Sequence, residues 1–110
     1  KADKTLEVDF DSGESFVYPA EFLRVESPSA EVQGHGAKQI IGGCRNVGLV
    51  QAEAVGHYAI RLIFDDAHDT GIYSWEYLHE LGVGHETIWR RYLEALKARG
   101  LSRDAASGPR

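Results

Sequence analysis

The stretch that most constrains this chain is residues 58–64. Tyr58, Ile60, Leu62 and Phe64 fall on one side, and Ala59, Arg61 and Ile63 on the other. A period of two predicts an extended strand with one face against a core. Residues 46–54 read as a second strand, and Val55-Gly56-His57 between the two suits a tight antiparallel turn. Further on the period changes. Ile88, Trp89, Tyr92, Leu93 and Leu96 recur at helical spacing over residues 85–99, and Gly100 stops that helix. Antiparallel pairing followed by helix predicts an α+β fold: a small, mainly antiparallel sheet with two or three helices packed on one side.

The flanking segments extend this pattern. Residues 5–18 read as a β-hairpin, with Leu6, Val8 and Phe10 before Asp11-Ser12-Gly13 and with Phe16 and Tyr18 after it. Pro19 stands where a helix can begin without losing a hydrogen bond, and Ser27-Pro28 ends that helix. Residues 27–43, rich in Ser and Gly, read as irregular. Ser74 is placed to cap a short helix carrying Tyr77 and Leu78, with Gly82 closing it. One domain over residues 5–99 is expected, with residues 100–110 as a mobile tail.

Composition narrows the function classes. The 110 residues are 43% apolar and 26% charged, an ordinary globular balance. Twelve basic against seventeen acidic residues leave a formal charge of −5, which disfavours a nucleic-acid partner. No apolar run approaches the roughly eighteen residues of a membrane span, and KADKTLEVDF lacks the apolar region of a secretory signal. Cys44 is the one cysteine, so neither an internal disulfide nor a multi-cysteine metal site can form within one chain. Low cysteine use fits a reducing, cytoplasmic setting.

Motifs of self-contained catalysis are missing: there is no GxxxxGK[ST], GxGxxG, GxSxG or HExxH, and no histidine is followed two residues later by Asp or Glu. The chain is therefore not expected to be an enzyme in its own right. One dense polar cluster remains, Asp65, Asp66, His68 and Asp69, whose carboxylates and imidazole suit a divalent metal such as iron or zinc. Short acidic loops are more often solvated turns in which an Asp caps its own backbone. His35, between Gly34 and Gly36, could face a metal or a partner, or be incidental to a flexible loop. Cys44 reads better as a small buried apolar residue than as a reactive thiol. Trp75, Tyr77, Trp89 and Tyr92 fit core packing better than an aromatic cage.

Several segments taken together carry a resemblance. They are Leu23-Arg24 with Ser27-Pro28-Ser29-Ala30-Glu31, then Gly34-His35-Gly36, then Val55-Gly56 and Tyr58-Ala59. Phe64-Asp65-Asp66, His68-Asp69-Thr70-Gly71-Ile72-Tyr73, Trp75 and Tyr77-Leu78 complete the set. In this order they resemble the γ-butyrobetaine hydroxylase-like N-terminal domain family over roughly residues 5–82.

The resemblance implies an accessory domain, since the iron and 2-oxoglutarate residues of the hydroxylases lie outside it. It also implies a zinc module of three cysteines after a Leu-Arg pair and a later histidine. Here those positions are Ser27, Ser29 and Val32, with His68 as the histidine. Serine and valine do not replace thiolate ligands, so loss of that site is expected. Related domains joined to P-loop iron–sulfur carriers suggest an iron or iron–sulfur setting by association.

The expected function is a non-catalytic accessory module that docks on a protein partner or pairs with itself through loops 27–43 and 65–71. Ser27, Ser29, Glu31 and His35 are the candidate contact residues. The alternative is a metal-binding protein using Asp65, His68 and Asp69, with Asp66 and His35 as further ligands.

Overall fold

The computed structural model describes residues 3–28, 40–66 and 70–104. Its first hairpin joins β1 (Thr5–Asp9) to β2 (Ser15–Pro19), with Leu6 opposite Tyr18 and Val8 opposite Phe16. Val8 and Tyr18 point inward while their neighbours face solvent, as the alternation predicts. Pro19 ends β2 and caps α1 (Ala20–Val25). All six residues of α1 are buried, including Glu21 and Arg24. A helix covered on every side has no solvated face for its charges, so those charges need partners within the protein.

The second hairpin pairs β3 (Leu49–Val55) with β4 (Ala59–Phe64), Glu53 lying opposite Arg61 and Val55 opposite Ala59. Gly56 adopts φ +58°, the left-handed conformation that the turn requires. Leu62 and Phe64 are buried and Ile60 packs against the core, in line with the alternating face. Tyr58 departs from that face and is 63% exposed. It sits outside β4, where the strand period no longer directs its side chain.

A third strand, β5 (Thr70–Ser74), adds to β4 with Leu62 opposite Gly71 and Ile60 opposite Tyr73. The fold is therefore α+β and antiparallel as expected, its strands divided among the described residues into two small sheets, one of two strands and one of order β3-β4-β5.

Ser74 caps α2 (Trp75–Val83), its hydroxyl accepting the Tyr77 N–H at 3.0 Å. Gly82 does not close this helix, which runs on to a cap at Gly84. A Cβ on Gly82 would lie 2.6 Å from the Phe16 ring, so this glycine is explained by close packing against the hairpin. α3 (His85–Ala98) buries Tyr92 and Leu96, and Gly100 at φ +68° ends it as expected.

Beyond α3 the chain is tied down as far as residue 104. Ser102 and Arg103 accept backbone N–H bonds from Gly43 and Arg45, each at 2.9 Å. The tail expected to be mobile from Gly100 thus begins with an anchored segment. Among the described residues no helix is long and apolar enough to cross a membrane.

Candidate functional site

The charges on α1 organise the interior. Arg24 Nε donates to Asp66 Oδ2 at 2.8 Å, and its Nη1 is buried without a hydrogen-bond partner. Glu21 takes a two-pronged bond from Arg103, Nε to Oε2 at 2.8 Å and Nη2 to Oε1 at 2.7 Å. This pairing raises the Arg103 pKa further, chiefly through the hydrogen bond to Glu21. The same guanidinium lies 5.3 Å over the Trp89 ring.

Tyrosine hydroxyls tie the elements to one another through backbone carbonyls. Tyr18 donates to Leu78 O at 2.7 Å; Tyr73 donates to Leu23 O, Tyr77 to Glu26 O and Tyr92 to Ile41 O, each at 2.5 Å. Burial pushes the Tyr18 and Tyr92 hydroxyls up to about 12 and raises that of Tyr73 as well. These phenols stay protonated and donate across the neutral range. Trp75, Tyr77 and Trp89 pack against the core and Tyr92 lies within it, in line with the packing role expected of them.

The sequence candidates separate under this geometry. Asp65 accepts the Gly48 N–H at 3.0 Å while its own N–H donates to Gly48 O at 3.0 Å. Asp66 holds Arg24. Both carboxylates therefore have work in folding. Ser27 is 1% exposed, which corrects its assignment to a surface recognition loop: it lies beneath Gly71, whose Cβ would fall 2.6 Å from Ser27 Oγ. His35, His68, Asp69, Ser29, Glu31 and Val32 lie outside the described residues. Among the described residues no group of three or more His, Cys, Asp or Glu side chains is placed to hold a metal.

Cys44 is buried, and desolvation raises its thiol pKa against a smaller opposing effect of Arg24. That matches its expected role as a small apolar residue. The three-cysteine zinc site does not fit this chain, because Ser27 supplies a buried hydroxyl where a thiolate would be needed.

Two features were not visible in the sequence. One is the Glu21–Arg103 pair, whose only signal was a charge set among Ala20, Phe22, Leu23 and Val25 in a helix too apolar to be solvated. The other is a groove of about 440 Å³ between the end of α1, α2 and α3, lined by Val25, Ile40, Tyr77, Leu81, Ile88 and Ala95 among others.

Fold and interior together define a single small α+β domain in which Glu21, Asp65, Asp66 and Cys44 are taken up by folding contacts or burial. The chain belongs to the γ-butyrobetaine hydroxylase-like, N-terminal family, whose model matches residues 1–79.

Solved structures agree. One protein with an NMR solution structure is 48% identical, with a TM-score of 0.82 over 96% of this chain and 85% of its own. A second NMR structure is 42% identical, with a TM-score of 0.81 over 97% and 81%. A crystal structure of a protein with unknown function of the DUF971 family, from Acidithiobacillus ferrooxidans ATCC 23270, is 42% identical, with a TM-score of 0.61 over 72% and 80%. No curated protein matches the chain.

Proposed function

We propose that this domain is a non-catalytic accessory module that docks on a partner protein through the groove between α1, α2 and α3. The observation that carries this reading is a contrast. Asp65, Asp66 and Cys44 are engaged or enclosed, whereas the groove leaves Tyr77 of α2 and Ile88 and Ala95 of α3 only half-buried, with Ile40 beside them. Glu80 of α2 and Arg91 of α3 are the exposed charges at its rim. An apolar anchor on the partner, flanked by polar groups that meet Glu80 and Arg91, would complement it.

Cross-linking with the wild-type chain in its native source, compared with Ala95→Trp and Val50→Lys, tests this. A partner cross-linked at α2 or α3, lost with the filled groove and kept with the β3 change, is the expected result. A partner retained by Ala95→Trp would overturn the groove as the contact.

A finer reading places the domain in cytoplasmic iron or iron–sulfur metabolism, with His68, Asp69 and His35 as metal ligands beside Asp65 and Asp66. Its geometric support is that the ends of the two loops meet, Ser27 lying against Gly71; Asp66 would join such a site only by releasing Arg24. Elemental analysis and calorimetric titration with Fe²⁺ and Zn²⁺ test it. Absence of stoichiometric metal, or binding unchanged in His68→Ala, would remove it.

A further inference from the structure

The segment after α3 sits in the fold the way a bound peptide sits in a receptor. It belongs to no strand or helix. Its backbone is read by two N–H groups, Gly43 donating to Ser102 O and Arg45 donating to Arg103 O. The approach is close: a Cβ on Gly42 would lie 2.6 Å from Ser102 O. The Arg103 guanidinium makes both bonds to a carboxylate that is only 7% exposed, and its face lies over Trp89. Asp104 pairs with Arg45 at 2.5 Å.

Backbone, arginine and following acid are therefore each recognised separately. A buried carboxylate matched by a planar fork and an aromatic face selects arginine over lysine. The Arg103 side chain remains 31% exposed, so one side of this contact faces solvent.

We propose that Glu21, Trp89 and the Gly43–Arg45 backbone form a receptor for an extended arginine–acid segment, which Ser102-Arg103-Asp104 occupies in cis and a partner segment of the same chemistry occupies in trans. This site is separate from the groove and stands independently of it. The tether gives the resident segment a high effective concentration, so a competing peptide binds the intact chain more weakly than a chain lacking the resident arginine.

The test uses the full chain carrying Arg103→Ala and the blocked peptide Leu-Ser-Arg-Asp, followed by amide NMR shifts at Gly43 and Arg45 and by Trp89 fluorescence. Saturable binding is expected, lost with a citrulline peptide and with Glu21→Gln added, and weaker by roughly tenfold or more in the wild-type chain. Equal affinity for wild type and Arg103→Ala, or no preference over citrulline, would overturn the proposal. If Arg103→Ala does not fold, Arg103→Lys keeps a cation beside Glu21 while losing the fork. The arginine peptide should still bind this variant more tightly than it binds wild type, and failure to do so overturns the proposal equally.

Discussion

Arg24 and Asp66, 42 residues apart, form an ion pair at 2.8 Å that fastens α1 to the turn after β4. The arginine is the more deeply buried partner, with 10% of its side chain exposed against 26% for the aspartate. Removing Asp66 would strand a cation that already has one unpartnered nitrogen. Asp66→Ala should destabilise the domain by about 2–4 kcal/mol in urea unfolding. The double variant Arg24→Met/Asp66→Ala should lie closer to wild type, because no buried charge remains.

The tyrosine anchors predict a graded series. Tyr18→Phe and Tyr73→Phe each leave a buried carbonyl without its donor and should cost about 1–3 kcal/mol. Tyr77→Phe, at a partly buried site, should cost less.

The same hydroxyls set an alkaline limit. The Tyr18 and Tyr92 pKa values rise from 10.0 in the unfolded chain to about 12 in the fold. The folded state thus holds these protons more tightly. Their contribution is complete below pH 10 and is lost as pH rises toward 12. Thermal unfolding scans across that window should show a falling midpoint, with a smaller slope in Tyr18→Phe.

Gly71 is required for space. A methyl group there would lie 2.6 Å from Ser27 Oγ and 2.8 Å from the Tyr73 ring. Gly71→Ala should destabilise by about 1–3 kcal/mol. Adding Ser27→Ala, which removes the nearer atom, should restore part of the loss in the same denaturation assay.

Cys44 should be silent while the domain is folded. It is buried and its pKa is raised by desolvation, so little thiolate is present and access needs local opening. Its reaction with an aromatic disulfide reagent at pH 8 should be slower than in denaturant by on the order of a hundredfold or more. Native-like fast labelling would contradict this burial.

Much of the local structure was legible. Both hairpins, the Ser74 cap, α3 and its end at Gly100 follow from side-chain period and turn chemistry within a few residues. Other features were hidden by the same locality. Residues 70–74 carry no long alternation, so β5 emerges only because β4 offers an edge to pair with. Gly82 looked like a terminator, but the Phe16 ring from a distant hairpin occupies the space beside it. The candidate site was legible as residue types only. Nothing in Asp65-Asp66 says that one carboxylate would hold a Gly48 amide and the other an arginine on α1.

By itself, then, the sequence determined which segments are extended or helical, where they turn and that Cys44 is an interior residue. These depend on backbone preferences and on hydrogen bonds between near neighbours. Tertiary structure alone decided which charges meet. Arg24 finds Asp66 across 42 residues, and Glu21 finds Arg103 across 82. Such pairs form only after the sheets and helices have closed a low-dielectric interior around them, and spacing along a chain does not encode that closure.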